Sequence, residues 1–402
     1  MLHHSGERVD EGSRFEAPCV TAYSIGNALG PSAAEVWHAL AAGASGLRPC
    51  RLPLPFETVA GHFPDVLEPV PAALAAYDSR VVRMALAVLE GVAGAVERAI
   101  RRWGRDRVAI VLGTSTGGIL ESEAALDAHS ATGALPTSFS LENTHAFHGL
   151  LGAVRLRTGA RGPGYVVSTA CSSSGKVLGS ARRLLAAGVA DAVLTGGVDT
   201  LCQTTLRGFG SLEALSPRGC RPFSAERDGI SLGEGGAFLL VEREGGGPAR
   251  ILGVGETSDA HHMSHPHPEG RGARAAMAEA LRQAGLPPGS VDHVNAHGTG
   301  TPANDVIEAR AIADTIGAQA VVASTKGYTG HLLGAAGATE AVFAIMAIEH
   351  GLVPASLGAA PLDPDVSLDI CLAPRRRACR VVLSNSFAFG GSNVAVLLGR
   401  PS

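Results

Sequence analysis

The chain has 402 residues, 46% hydrophobic and 17% charged, with a formal net charge of −4. This composition suits a globular protein with apolar mass for one large or two smaller cores, and the charge gives no general attraction to nucleic acid. Seven cysteines, at positions 19, 50, 171, 202, 220, 371 and 379, lack CxxC spacing, which argues against a disulfide scaffold or zinc module and fits a reducing cytoplasm.

Residues 1–15 are polar and aperiodic and read as a loose extension, without the apolar core of a secretion signal. From Val108 the pattern becomes α/β alternation. Val108–Leu112 reads as a buried strand ending in the turn Gly113-Thr-Ser-Thr-Gly-Gly118. Tyr165–Thr169 is a second strand, followed by a helix carrying Val177, Leu178, Ala181, Leu184 and Leu185, and Ala192–Thr195 and Ala237–Val241 are further strands. The charged, glycine-rich stretch from Glu242 to Gly247 marks a boundary between residues 16–245 and 246–402. Beyond it the plan repeats, with helices at Ala273–Gln283 and Val306–Ile316. Strands are expected at Asp292–Asn295, Val321–Ser324, Val381–Ser384 and Asn393–Leu398. The helix containing Ala341–Ile348 holds the longest clean apolar stretch, too short to span a bilayer. The step from strand to small-residue helix occurs once per half, at Val166–Cys171 and at Val321–Lys326. Two ordinary α/β units, or one duplicated unit, both account for it.

Cys171 follows a β-branched strand and precedes Ser172-Ser-Ser-Gly175, residues suited to starting a helix. A thiol there meets unpaired N–H groups and the positive end of the helix dipole, which favour the thiolate and can bind an oxyanion. The competing reading is a buried, inert cysteine. His297 lies in the glycine-rich run Asn295-Ala-His-Gly-Thr-Gly-Thr301, where the backbone can approach a ligand, although a structural histidine fits equally. Asp305-Val-Ile-Glu308 has capping-box spacing. Lys326 ends an apolar strand and needs a carboxylate, for which Glu308 is the candidate, and His331 follows five residues later. His261, His262, His265 and His267 sit in a proline-broken segment without a helical HxxxH pair, which favours a loop or cleft wall over a metal site.

Together these segments resemble the β-ketoacyl-carrier-protein synthases of the elongating type. The matching stretches include Ser168-Thr-Ala-Cys171, Arg221-Pro-Phe223, Glu226-Arg-Asp-Gly229, Gly233-Glu-Gly-Gly236, His297-Gly-Thr-Gly-Thr301, Gly330-His331, Gly334-Ala-Ala-Gly337 and Ser384-Asn-Ser-Phe-Ala-Phe-Gly-Gly391. They run in consistent order over residues 18–399. The resemblance implies a thiolase-like fold, a duplicated five-layered αβαβα core, and a soluble homodimer or a heterodimer with a similar subunit. The first half would carry the nucleophile, and the second the catalytic histidines and lysine.

The resemblance also assigns roles. Cys171 would accept an acyl group from the phosphopantetheine of acyl carrier protein, with the N–H groups of Cys171 and Phe389 as oxyanion hole. His297 and His331 would donate to the malonyl thioester carbonyl during decarboxylation. Lys326 would keep both rings neutral, with Glu308 holding Lys326 and Asp305 in support. Thr299 and Thr301 would bind the pantetheine arm, and Phe389 would act as a gate. No metal and no cofactor beyond the carrier's own arm is implied. Arg80, Arg83 and Arg207 are the candidate carrier-docking cations.

Three departures stand out. Ala388 replaces a glycine before the gate, at a cost of about 1 kcal/mol if the site needs positive φ. Ser172–Ser174 replaces an alanine-containing run, and His267 stands where an aspartate is common. With Gly175-Lys176 and Lys326-Gly-Tyr328, these look most like synthases of specialised bacterial pathways such as aryl polyene assembly. A non-catalytic chain-length factor would have lost the nucleophile or the histidines. A thiolase proper needs a second cysteine in the late glycine-rich turn, where this chain has Phe389-Gly-Gly391.

Overall fold

The computed structural model describes residues 16–401, so the expected N-terminal extension lies outside the described residues. The first half contributes five strands to the large sheet: β1 (Cys19–Gly26), β2 (Val108–Gly113), β3 (Gly164–Val167), β4 (Ala192–Asp199) and β5 (Gly235–Glu242). Five more come from the second: β6 (Ala249–Ser258), β7 (His293–Asn295), β8 (Val321–Ala323), β9 (Val381–Phe387) and β10 (Ser392–Gly399). The first five lie in the order β3-β2-β4-β5-β1, and the second five in the order β8-β7-β9-β10-β6. Within each set the two outer pairings are parallel and the two inner ones antiparallel. One five-stranded plan is therefore used twice, and the two copies are joined strand to strand at Cys19–Arg250 and Val20–Ala249 of β1 and β6. The short strand Asp369–Ile370 extends the second set beyond β8.

Seven helices matter for the argument: α1 (Arg80–Trp103), α2 (Phe147–Thr158), α3 (Ser173–Ala186), α4 (Gln203–Ser211), α5 (Arg271–Ala284), α6 (Pro302–Thr315) and α7 (Ala336–His350). The alternation of side chains along β2 shows how the layers arise. Val108, Ile110 and Leu112 face one way, into a cluster with residues of α1 and α2, whereas Ala109 and Val111 face the other, towards α3 and α7. A strand covered on both faces must be apolar throughout, which is why β2 reads as a continuous hydrophobic run. On the far side, α5 and α6 cover the second sheet through Ala276, Met277, Ala280 and Ile312. The result is helix, sheet, helix, sheet, helix, with α3 and α7 as the middle layer.

That middle layer explains the small-residue composition of its helices. Every residue from Ala336 to Ile348 is buried. A Cβ built on Gly337 would lie 2.4 Å from the Gly175 backbone nitrogen, so the two helices cross at backbone contact.

The element limits differ from the sequence reading mainly at the ends. Pro302 at the first helical position starts α6 four residues earlier than the apolar periodicity indicates. Strands β1 and β6, which join the two halves, carry polar residues and lack a clean alternating pattern, and the sequence reading missed both.

Candidate active site

The site forms where β3, the loops after β7 and β8, and the turn between β9 and β10 converge. Between β3 and α3 the chain turns through Ala170, which has φ 50°. That left-handed conformation costs a residue with a Cβ about 1–2 kcal/mol. Hydroxyls staple the turn: Ser173 Oγ donates to Ala170 O at 2.6 Å and accepts the Thr169 N–H at 2.9 Å, and Ser172 Oγ donates to Thr169 O at 2.8 Å. Ser172 occupies the N-cap position of α3, but its side chain serves the turn rather than the helix.

Cys171 is thereby fixed at the helix N-terminus and buried. The expected bias towards thiolate is outweighed. Burial pushes the thiol up to about 11, against the pull of Lys326 and of the backbone N–H groups of Phe389 and Cys171, while Glu340 adds to the rise. Burial therefore favours the thiol at rest.

The Cys171 sulfur and one ring nitrogen from each of His297 and His331 lie within 4.8 Å of one another. The two rings meet edge to face with centroids 5.2 Å apart. Lys326 Nζ approaches His297 Nδ1 at 3.3 Å. An ammonium can only donate, so Nδ1 accepts and the ring proton sits on Nε2. Burial holds both histidines well below the ordinary value of 6.5, and the Lys326 cation depresses both further. His331 differs in one respect: neither of its ring nitrogens has a hydrogen-bond partner among the described residues.

Lys326 pairs with Glu340 of α7 at 2.5 Å, not with Glu308. Glu308 instead accepts the backbone N–H groups of His297 and Gly298, both at 2.7 Å, and so anchors the histidine loop itself. Burial raises its carboxyl to about 7, while those same N–H groups restrain the rise. The expected capping box does not form, because Thr301 rather than Asp305 is the N-cap of α6. Asp305 reaches back to accept Phe223 N–H at 2.7 Å and Gly300 N–H at 3.1 Å, and burial raises its carboxyl also. The two acids thus hold the backbone on either side of Thr299.

A cavity of about 370 Å³ leads to the sulfur, lined by Cys171, His297, His331, Thr299, Thr301 and Phe389 among others. Thr299 and Thr301 hydroxyls bond each other at 2.8 Å on its wall. Phe389 is 39% exposed at the mouth and stacks on Phe209 of α4 at 5.5 Å between centroids. Ala388 has φ −100°, so no glycine is needed and the expected strain is absent. His265 also lines the cavity, and its Nδ1 faces His262 Nδ1 at 3.1 Å on the exposed rim. Cys379 is buried and bonded to Arg377 O, and it does not line the cavity. Of the candidate docking cations, Arg80 is bound to buried Glu234 and Arg83 to Asp78, whereas Arg207 is exposed and, among the described residues, hydrogen-bonds Pro53 O and Gln203 without pairing to an acid.

The chain matches the beta-ketoacyl synthase N-terminal domain over residues 18–245 and the C-terminal domain over residues 248–360. It is 34% identical to the 3-oxoacyl-[acyl-carrier-protein] synthase 2 of Coxiella burnetii, covering 95% of this chain and 98% of that protein. Against the enzyme of the same name from Mycobacterium tuberculosis it is 32% identical, over 97% and 98%. Among solved structures, a ketosynthase in complex with its chain length factor from Xenorhabdus doucetiae superposes with a TM-score of 0.89 at 36% identity, covering 100% of both chains. Two family domains in series, relatives matched from end to end and a duplicated core place this chain in the beta-ketoacyl synthase family.

Proposed function

We propose that the protein is a 3-oxoacyl-acyl-carrier-protein synthase in which Cys171 takes up an acyl chain and condenses it with malonyl-carrier. The observation that carries this reading is the convergence of one thiol and two neutral histidines at the end of one cavity. The Cys171 sulfur attacks the acyl thioester. Its proton passes to the departing pantetheine sulfur, and the N–H groups of Cys171 and Phe389 receive the developing oxyanion. Malonyl-carrier then enters with its thioester carbonyl against His297 Nε2–H and His331. Loss of carbon dioxide leaves an enolate that both donors stabilise. Its carbon attacks the acyl carbonyl, the C–S bond to Cys171 breaks, and β-ketoacyl-carrier is released. Thr299 and Thr301 hold the pantetheine arm.

Lys326 also bears on metal binding. A divalent ion between Cys171, His297 and His331 would face the Lys326 ammonium, which already occupies His297 Nδ1. The proposed chemistry therefore uses no metal, and turnover should be unchanged by EDTA. Loss of activity on chelation, restored by a divalent ion, would remove this part of the reading. For the histidines, His297→Ala and His331→Ala should each lower carbon dioxide release from malonyl-carrier by on the order of a hundredfold. Unchanged release would remove their role.

Solved neighbours at 36% and 28% identity are ketosynthases described with chain length factors. This supports a heterodimer with a similar subunit, working with an acyl carrier protein in a specialised bacterial pathway. Seven free cysteines support a cytoplasmic setting, and among the described residues no helix is long and apolar enough to cross a membrane. Co-expression with a candidate partner subunit, followed by mass measurement of the complex, tests the pairing.

A further inference from the structure

His297 and His331 are held in different ways. His297 has Lys326 on its ring and Glu308 on its backbone, whereas the His331 ring has no hydrogen-bond partner among the described residues. Its aim must come from the backbone and from packing. Before the ring, that backbone is fixed by two bonds: His331 N–H donates to Ser231 O at 2.7 Å, and Gly233 N–H donates to His331 O at 2.9 Å. After it, the chain enters a tight turn through Leu333, whose φ of 51° is unusual for a branched side chain. Something must hold that turn.

The contact comes from the other half of the molecule. Asp199, at the end of β4, is fully buried and accepts bonds from the hydroxyls of Thr114, Ser115 and Thr116 and from the N–H groups of Ser115 and Thr116. Because Ser115 Oγ donates to Asp199 Oδ2 at 2.9 Å, its lone pairs are turned outward. One of them accepts Gly334 N–H at 3.0 Å. The fit is close: a Cβ on Gly334 would lie 2.6 Å from Ser115 N and 2.7 Å from Asp199 Oδ2.

We propose that Asp199 and Ser115 are positioning residues for His331, setting the aim of the second-half histidine from the first half through the Gly334 amide. Asp199 orients the serine hydroxyl, the hydroxyl holds the turn at Leu333-Gly334, and the turn sets where the His331 ring points. The inference rests on His331 acting in malonyl decarboxylation.

The test separates the two half-reactions. Ser115→Ala removes the outward acceptor and one donor to Asp199, leaving the Ser115 N–H, Thr114 and Thr116 to hold the loop on Asp199. It should lower the kcat of malonyl-carrier decarboxylation on the order of ten- to a hundredfold, the loss expected of a misplaced group. KM for malonyl-carrier, the rate of Cys171 acylation and the melting temperature should stay near wild type. Ser115→Thr, which keeps the hydroxyl, should restore most of the lost rate. Asp199→Asn should fall in the same half-reaction if it folds. Equal loss of both half-reactions with a lowered melting temperature, or no loss in Ser115→Ala, would overturn the proposal. His331→Ala run alongside distinguishes the levels. If His331→Ala lowers decarboxylation while Ser115→Ala leaves it at the wild-type rate, the relay alone fails. If His331→Ala leaves decarboxylation intact, the underlying reading of His331 fails.

Discussion

Lys326 and Glu340 lie 14 positions apart in sequence and 2.5 Å apart in space, in a region with almost no solvent. Nothing in local spacing connects them, because the pairing depends on where α7 crosses the loop after β8. The clue in the sequence was composition: Glu340 is the single charged residue between Ala336 and Ile348. A carboxylate in so apolar a helix needs a buried cation. The pair is of the kind that is costly to break, so Glu340→Gln should destabilise the protein by about 3–5 kcal/mol, read from denaturant midpoints. Removing the cation breaks the same pair and should in addition change the pH dependence. Burial and, after it, the Lys326 cation depress both histidines, so the wild-type rings stay neutral as pH falls through 6.5. In Lys326→Met the rings should take up protons at higher pH. An imidazolium would bind the malonyl carboxylate and stabilise the ground state that has to lose carbon dioxide. The acid limb of decarboxylation should therefore move to higher pH in this variant, and a pH–rate profile with an unmoved limb would contradict the role given to Lys326. Cys171, His297, Lys326 and His331 were legible because each sits in a motif. The true partners of Lys326 and Glu308 were not, because both depend on tertiary contacts.

Turns, more than helices or strands, decide what this site can do. The β3–α3 turn places Cys171 only because Ala170 accepts a left-handed conformation under three hydrogen bonds from Ser172 and Ser173. A β-branched residue tolerates that conformation poorly, so Ala170→Val should destabilise the turn and slow Cys171 acylation. The β9–β10 turn is the opposite case. Ala388 is extended, so the alanine there carries no strain. Ala388→Gly should lower stability by about 0.4–1 kcal/mol, through the larger freedom of the unfolded chain. A gain in denaturant midpoint would show that the alanine had been strained after all. Neither result could be read from the residue names, since φ is set by how the flanking strands end. The strand-to-helix steps themselves were legible, as apolar runs that break into small and hydroxylated residues.

Across the whole molecule, the two halves use one strand order. The sequence hinted at this through one repeated step, at Cys171 and Lys326. The matching orders became visible only once β1 and β6 were in place. Burial of histidines also has a global consequence that can be measured away from the site. His293 of β7 is buried, bonds Val321 O at 2.8 Å and is lowered to about 4 by that burial. The unfolded chain takes up a proton on this residue near 6.5 while the folded protein resists until about 4. Stability is therefore lost as pH falls through that window, by about 3 kcal/mol at completion. His293→Asn keeps a donor for Val321 but cannot titrate, so its denaturant midpoint should fall less than wild type between pH 7.5 and 4.5. Whether Cys171 carries the growing chain is read out by intact-mass measurement after mixing the protein with acyl-carrier. A mass gain equal to one acyl group is expected, located on the peptide containing Cys171, with no gain and no elongation in Cys171→Ala. Acylation at another residue, or a Cys171→Ala protein that still elongates, would contradict it.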